Sequence, residues 1–226
     1  MTLQDNLGAV RERIAAACAR AGRDVADVTL VGVTKRHPNE TIVEAFRAGI
    51  TDVGENYVQE LVEKHSAVAE PVRWHFIGHL QRNKVRQIAA FVHMIHGVDS
   101  VRLGEEIGRQ AIAAGRTIPV LLQVNTSGEE SKHGVAPDGA IELGRALAAI
   151  EGIELVGMMT LAAFLDEAEA TRPMFRLLAT VRAELRAATG LALPHLSMGM
   201  TGDFEVAIEE GATLVRIGTA LFGERS

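Results

Sequence analysis

Short apolar runs alternate with longer amphipathic segments along the chain. "VTLVGV" and "PVLLQV" are apolar at successive positions, which is typical of parallel strands covered on both faces by helices. The apolar runs predict eight strands, at 28–34, 51–54, 72–77, 93–97, 118–125, 152–159, 194–197 and 213–217. The amphipathic segments predict helices near 39–48, 55–69, 81–90, 100–114, 137–149, 167–188 and 202–210.

This cadence predicts an α/β fold, namely a single (β/α)8 TIM barrel. Eight strand–helix units in 226 residues, without a linker, favour a closed barrel over an open doubly wound sheet. We therefore expect one domain spanning residues 1–226. Leu3, Leu7, Val10 and Ile14 recur in steps of three and four, which predicts an extra N-terminal helix. Because only "TALFGERS" follows the last strand, this helix is expected to fill the gap in the outer ring.

The composition argues against three classes of protein, namely nucleic-acid-binding, membrane-spanning and disulfide-rich proteins. The 29 acidic and 23 basic residues give a net charge of -6, which argues against a nucleic-acid partner. No run reaches the roughly 18 apolar residues of a membrane span. Cys18 is the only cysteine, so an internal disulfide framework is excluded and a reducing compartment is favoured. We expect a cytoplasmic monomer that binds neither nucleic acid nor membranes.

Polar side chains collect where the predicted strands end, which in a barrel is the face that carries the chemistry. These side chains are Thr34, Lys35, Glu55, Asn56, His75, His96, Asp99, Asn125, Thr160, Ser197 and Arg216, together with Met159. Buried polar groups need partners. They either satisfy one another and the loop backbone or bind a ligand.

Lys35 follows the apolar run "TLVGVT" directly. A lysine amine at the mouth of a barrel loses hydration, so its pKa should fall, and a neutral amine forms a Schiff base with an aldehyde. The alternative is that Lys35 reaches past the rim to solvent or pairs with Glu55.

Two glycine-bearing turns follow the last two strands. "LSMGMTGDFEVAI" contains Ser197, Gly199 and Gly202, and "TLVRIGTALFG" contains Gly218 and Thr219. Backbone N–H groups in such turns close on phosphate, and barrels often place a phosphate site after strands seven and eight. A lysine beside a phosphate cup predicts a small phosphorylated aldehyde, either pyridoxal 5'-phosphate or a phosphosugar.

Five segments resemble the pyridoxal phosphate homeostasis proteins. They are "GENYVQE" (54–60), "WHFIGHLQRNK" (74–84), "QVNTSGEESKHG" (123–134), "SMGMTGDFEVAI" (197–208) and "VRIGTALFG" (215–223). The resemblance implies a barrel similar to the N-terminal domain of alanine racemase, with pyridoxal 5'-phosphate held as a Schiff base on Lys35. It also implies that Ser197, Gly218 and Thr219 hold the phosphate, that Arg216 faces the pyridine nitrogen, and that Asn56 lies beside the cofactor.

The chain departs from the resembled pattern at two places. His79 stands where members often have proline, and Thr201 and Gly202 stand where serine and another residue are frequent. The second departure lies in the proposed phosphate turn, where a threonine hydroxyl and a glycine N–H serve similar geometry.

The resemblance leaves open whether the bound cofactor reacts. Arg216 would keep the pyridine nitrogen unprotonated and so a weaker electron sink. Racemization needs an acid or base on each face of the substrate, whereas this chain has one tyrosine, Tyr57. We therefore expect a protein that manages the supply of pyridoxal 5'-phosphate to apoenzymes, without catalytic residues or a metal site. The alternatives are an amino-acid racemase using His75 or Tyr57, and a lysine aldolase acting on phosphosugars.

Overall fold

The computed structural model describes residues 2–223. Eight parallel strands form a closed barrel in chain order, with β8 paired to β1. The strands are β1 (Thr29–Val33), β2 (Asp52–Glu55), β3 (Arg73–Phe76), β4 (Met94–Val98), β5 (Ile118–Gln123), β6 (Ile153–Met159), β7 (His195–Ser197) and β8 (Leu214–Ile217). The predicted barrel is confirmed, and each predicted strand overlaps an observed one.

The described helices surround the barrel. They are α1 (Leu3–Arg20), α2 (Asn39–Arg47), α3 (Val58–Ala67), α4 (Val85–Ile88), α5 (Val101–Ala113), α6 (Ala140–Ala148), α7 (Arg172–Thr189), α8 (Phe204–Glu209) and α9 (Thr219–Phe222). The segment predicted as a helix at 81–90 is a 3-10 turn, Arg82–Lys84, followed by the single turn of α4.

The N-terminal helix lies beside α8 and α9. Its apolar residues Leu7, Val10 and Ile14 are buried, as their spacing predicts. Asn6 donates to the carbonyl oxygen of Leu221 at 2.8 Å, and Arg13 pairs with Glu205 at 2.6 Å. The helix thus covers the part of the barrel wall that the short α9 leaves open.

Successive side chains along each strand point alternately out of the barrel and into it, so the buried apolar residues form two separate clusters. Side chains that point outward pack against the helices in the larger cluster of buried residues. Side chains that point inward form a small cluster of Val31, Met94, Leu121, Met159 and Leu214. Polar side chains share the barrel interior with this small cluster, and they lie beneath the site. Among residues 2–223, no helix is long and apolar enough to cross a membrane.

Candidate functional site

A cavity of about 430 Å³ opens at the carboxyl ends of the strands. It is lined by Val33, Lys35, Asn56, Ile77, Lys132, Leu161, Ala162, Phe164, Met200, Thr201, Arg216, Gly218 and Thr219. Five of the six residues predicted to bind the cofactor therefore meet in one cavity. Ser197 is the sixth, and it lies outside this lining.

The backbone around Lys35 is fixed by buried charge. The Thr34 hydroxyl donates to Glu55 Oε1 at 2.6 Å, and Lys64 Nζ donates to the Thr34 carbonyl at 2.7 Å. Lys64 also lies 2.8 Å from Glu55 Oε1. Burial raises the pKa of Glu55, against the opposing effect of Lys64. Glu55, which the sequence offered as an ion-pair partner for Lys35, forms its ion pair with Lys64.

The residue after Lys35 adopts an uncommon backbone conformation. Arg36 has a φ of 61°, in the left-handed region that side chains other than glycine rarely enter. Its backbone N–H donates to Glu60 Oε1 at 2.5 Å, and the same carboxylate oxygen lies 2.6 Å from Lys64 Nζ. The chain therefore turns sharply after β1, and Lys35 stays half-buried at the mouth of the barrel.

Arg216 forms part of the cavity floor. Its side chain is buried, with one nitrogen donating to Ser197 Oγ at 2.5 Å and another to the Thr160 carbonyl at 2.9 Å. Burial lowers the pKa of Arg216 to about 10, whereas the charge of Asp203 opposes this shift. The guanidinium therefore remains charged near neutral pH.

Ser197 lies beneath this floor and is fully buried. Its hydroxyl is occupied by Arg216 on one side and by His96 Nδ1, at 2.8 Å, on the other. Ser197 is the last residue of β7, and its side chain points into the barrel instead of toward the turn that follows. In this structure the Ser197 hydroxyl therefore contacts Arg216 and His96, and its predicted phosphate contact stays a prediction.

His75 and His96 also lie beneath the cavity. Their positions in the sequence had predicted that they lie at the carboxyl ends of the strands. His75 Nδ1 lies 2.9 Å from His96 Nε2, and His75 Nε2 lies 2.9 Å from Asp52 Oδ1. Both histidines occupy the middle of their strands and point inward, which places them one layer below the strand ends. Burial lowers the pKa of His96 well below its ordinary value.

The two turns predicted to grip phosphate meet at the cavity. Thr201 Oγ1 accepts a hydrogen bond from the backbone N–H of Ala220 at 3.3 Å, which joins the turn after β7 to the turn after β8. Within residues 2–223, the backbone N–H groups of Thr201, Gly218 and Thr219 donate no hydrogen bond. These three residues all line the cavity, and an anion bound between the two turns would supply an acceptor for their backbone N–H groups.

Gly199 shapes the first of these turns. It has a φ of 92°, and a Cβ built on it would lie 2.6 Å from the Cβ of Ala207 and 2.9 Å from the Cα of Phe204. Only glycine allows the chain to pass this close to α8 while turning from β7. The close approach of this turn to α8 therefore requires glycine at position 199.

Thr201 and Lys132 line the cavity in addition to the residues predicted to bind the cofactor. Thr201, part of the second departure from the resembled pattern, lines the cavity, whereas Ser197 does not. Lys132 extends from the long loop after β5 to the same cavity, where its Nζ donates to the Ala162 carbonyl at 2.6 Å. Asn56 borders the cavity, and within the described part of the chain its buried Oδ1 has no hydrogen-bond partner.

The side chains considered for racemase chemistry do not line this cavity. Tyr57 is half exposed and borders a separate depression with Asn56 and His79. Both ring nitrogens of His75 are used in the contacts to His96 and Asp52. Neither side chain is therefore placed to act on a molecule held between Lys35 and Arg216.

Two groups of potential metal ligands have donor atoms within 4.8 Å of one another. The first is Asp52, His75 and His93, in which both nitrogens of His75 already make hydrogen bonds. The second is His79, Asp99 and His133, in which the two rings are stacked 3.7 Å apart with an interplanar angle of 8°. Because the lone pair of each ring nitrogen lies in the plane of its own ring, two parallel rings cannot both direct a nitrogen straight at one ion.

Comparison with known proteins places this geometry in a family. The family model for the N-terminal domain of alanine racemase matches residues 6–226. The pyridoxal phosphate homeostasis protein of Aquifex aeolicus is 45% identical over 226 residues, covering 100% of this chain and 99% of the relative. The chain belongs to the pyridoxal phosphate homeostasis protein family. The expected family is thereby confirmed.

Two solved structures extend the comparison. A protein of Bifidobacterium adolescentis, described as unknown, superposes with a TM-score of 0.92 at 40% identity, covering 97% of this chain and 94% of that one. PipY of Synechococcus elongatus, in a structure with pyridoxal phosphate bound, has a TM-score of 0.82 at 34% identity and covers 95% of this chain and 100% of that chain.

Proposed function

We propose that this member of the family binds pyridoxal 5'-phosphate reversibly on Lys35 and manages its supply without catalytic turnover. One observation carries the proposal. Lys35, Arg216 and three residues of the turns after β7 and β8, namely Thr201, Gly218 and Thr219, line the same cavity of about 430 Å³. A volume of roughly 300–1,000 Å³ is usual for pockets that hold small molecules. The arrangement fits an aldehyde at one end and a phosphate at the other.

Lys35 supplies the covalent link in this proposal. Its amine attacks the aldehyde carbon, and loss of one water molecule leaves a carbon–nitrogen double bond, the Schiff base. Pyridoxal 5'-phosphate supplies an electron sink when it is bound. The ion pair of Lys64 with Glu55 holds the backbone at Thr34, so Lys35 is presented at a fixed point on the rim.

The phosphate is held by the turns after β7 and β8. We propose Thr201 for the hydroxyl contact instead of Ser197, because Thr201 lines the cavity whereas Ser197 is buried below it. Gly218 and Thr219 contribute backbone N–H groups, and Thr219 is an exposed residue that lines the cavity. A hydrogen bond from any of these donors is stronger when its acceptor is charged, as a phosphate oxygen is.

Arg216 and Asn56 contact the ring in this proposal. A permanent cation facing the pyridine nitrogen donates a hydrogen bond to it and disfavours its protonation, since two positive charges would then be adjacent. Electron withdrawal by the ring is correspondingly weaker. Asn56 also lines the cavity, and its buried Oδ1, which has no hydrogen-bond partner among residues 2–223, gains one if a donor group of the cofactor binds there.

The absence of turnover is supported by what surrounds the cavity. Neither Tyr57 nor His75 lines it, so the racemase alternative lacks the acid and base that we considered. The rim is open and carries Phe164, which is 94% exposed. A cofactor held here stays accessible, which suits its transfer to pyridoxal-dependent apoenzymes. We propose that a single-domain cytoplasmic monomer performs this role.

Absorbance spectroscopy with matched lysine variants tests the proposal. Pyridoxal 5'-phosphate added to the wild type and to Lys132→Ala should give the visible band of a Schiff base, and Lys35→Ala should not give it. A colourless wild type after this addition would contradict binding. A phosphosugar substrate that is cleaved by the colourless protein would favour the aldolase alternative instead.

Turnover is measured on the same preparation. The loaded wild type is incubated with individual amino acids in deuterated water, and exchange at the α-carbon is followed by NMR. We expect no exchange above the rate with free pyridoxal 5'-phosphate. Faster exchange that is lost in His75→Gln or Tyr57→Phe would establish the racemase alternative.

A further inference from the structure

A chain of five side chains crosses the barrel interior beneath the cavity. Arg216 donates to Ser197 Oγ at 2.5 Å, and Ser197 Oγ lies 2.8 Å from His96 Nδ1. The remaining two links, His96 to His75 and His75 to Asp52, are both 2.9 Å. Asp52, His75, His96, Ser197 and Arg216 are all buried. Every link therefore has the length of a hydrogen bond and is shielded from solvent.

The two ends of this chain fix the direction of every link. Arginine can only donate, and an ionised carboxylate can only accept. Hydrogen bonds from His75 and Arg73 hold the pKa of Asp52 well below its usual range, although burial alone would raise it. The chain thus begins at a donor, Arg216, and ends at an acceptor, Asp52.

Only one arrangement of protons satisfies all the groups between these ends. Ser197 accepts from Arg216 and donates its own proton to Nδ1 of His96. His96 is then neutral, with its proton on Nε2, and donates to Nδ1 of His75. His75 is likewise neutral and donates from Nε2 to Asp52. All four hydrogen bonds point from the cavity toward Asp52, and both rings carry their proton on Nε2.

The opposite arrangement is costly. If His96 donated from Nδ1 to Ser197, the serine proton would lose its acceptor. His75 would then either present a lone pair to the Asp52 carboxylate or become a buried cation in the same interior as Arg216. A buried donor without an acceptor loses its hydrogen bond to water with no replacement, and an added buried charge is more costly still.

The geometry points to Asp52 as a remote positioning residue for the cofactor ring. We propose that it acts through His75, His96 and Ser197 to hold the Arg216 guanidinium in one orientation toward the cavity. Both direct acceptors of Arg216, the Ser197 hydroxyl and the Thr160 carbonyl, are neutral. The aligned hydrogen bonds carry the influence of the Asp52 charge to this buried cation. The effect on the ring rests on the proposed function, whereas the direction of the chain does not.

Nitrogen-15 NMR of the histidine rings tests the direction of the chain on the protein without cofactor. We expect His75 and His96 to carry the proton on Nε2. In Asp52→Asn the amide can present either a donor or an acceptor, so a fraction of His96 with its proton on Nδ1 should appear. A wild-type His96 protonated on Nδ1 would overturn the proposal, and this result needs no variant to fold.

Titration with pyridoxal 5'-phosphate tests the consequence at the cavity. We expect Asp52→Asn to bind roughly fivefold more weakly than the wild type, which is the scale of coupling between groups in one network. His93→Gln is the matched control, because the His93 ring packs 5.2 Å from that of His75 but makes none of the four links. It should leave the affinity and the tautomers unchanged.

The outcomes separate the two proposals. If the wild type binds no aldehyde, the proposed function is wrong, and the histidine tautomers still decide whether Asp52 orients the chain. If the wild type binds and Asp52→Asn matches it in affinity and tautomers, the positioning role of Asp52 is wrong and the proposed function stands.

Discussion

Lys64 Nζ lies 2.8 Å from Glu55 Oε1 and 2.7 Å from the carbonyl oxygen of Thr34, the residue that precedes Lys35. Lys64 is 4% exposed and Glu55 is fully buried, so this ion pair lies inside the protein. It ties α3 to the ends of β1 and β2. The backbone position of Lys35 therefore depends on a second lysine that does not line the cavity.

Removing Lys64 should be strongly destabilising. Lys64→Met leaves the Glu55 carboxylate buried without its cation, and such losses cost about 3–5 kcal/mol in the free energy of unfolding. Urea denaturation measures this change. The double variant Glu55→Leu with Lys64→Met removes both charges and should recover most of the loss. A single variant within about 1 kcal/mol of the wild type would show that the pair contributes little.

Two glycines in one turn should respond differently to alanine. Gly199→Ala forces a side chain into a φ of 92° and against the backbone of Phe204, so we expect a loss of at least about 2 kcal/mol in unfolding free energy. Gly202→Ala is the control, because a Cβ there meets nothing within 4 Å. Thermal or urea unfolding of both variants gives the comparison. Equal stabilities would refute the close approach of the turn to α8.

The Thr201 hydroxyl should matter for phosphate and not for the rest of the ligand. Thr201→Val keeps the shape and removes the hydroxyl, and a hydrogen bond to a charged group contributes about 1.5–3 kcal/mol. We expect affinity for pyridoxal 5'-phosphate to fall roughly ten- to a hundredfold, because 1.4 kcal/mol corresponds to a factor of ten. Affinity for pyridoxal, which has no phosphate, should change little. A parallel loss for both ligands would place Thr201 elsewhere in recognition.

The stability of the protein should fall in mild acid, in part because of His96. Burial lowers the pKa of His96 well below its ordinary value of 6.5, and the nearby positive charge of Arg216 lowers it further. Below that pH the unfolded chain binds a proton that the folded chain does not, so unfolding becomes easier as the pH decreases. The loss from one such group approaches about 1.4 kcal/mol per pH unit.

Urea denaturation at several pH values between about 7 and 5 measures this slope. His96→Asn should be less stable than the wild type near neutral pH, and its stability should depend less steeply on pH across the same interval. The comparison uses slopes, so the lower starting stability of the variant does not affect it. An unchanged slope would mean that His96 protonates in the folded protein as it does in the unfolded chain.

The fold could be predicted from the sequence because strand and helix periodicities are local. Runs such as "VTLVGV" and "PVLLQV" indicate covered parallel strands, and the count of eight units then indicates closure. The helix at 81–90 was less predictable. Its first turn, Arg82–Lys84, is a 3-10 turn, and such boundaries depend on packing that periodicity does not record.

The sequence could predict which residues lie at the strand ends, but it could not predict which way their side chains point. Lys35 and Arg216 both lie near strand ends and line the cavity. Ser197 is also at a strand end, yet it points inward to His96 and leaves Thr201 facing the cavity. A shift of one residue at the end of a short strand reverses the face, and the three residues of β7 give too little pattern to fix it.

Reduction with borohydride followed by peptide mapping is the most direct test of the central claim, that Lys35 holds the aldehyde. The protein is saturated with pyridoxal 5'-phosphate, reduced and digested, and the modified lysine is located by mass spectrometry. Lys132 lines the same cavity and serves as the internal control. We predict a pyridoxyl adduct on the peptide that contains Lys35. An adduct on Lys132 alone, or on no lysine that lines the cavity, would contradict the account.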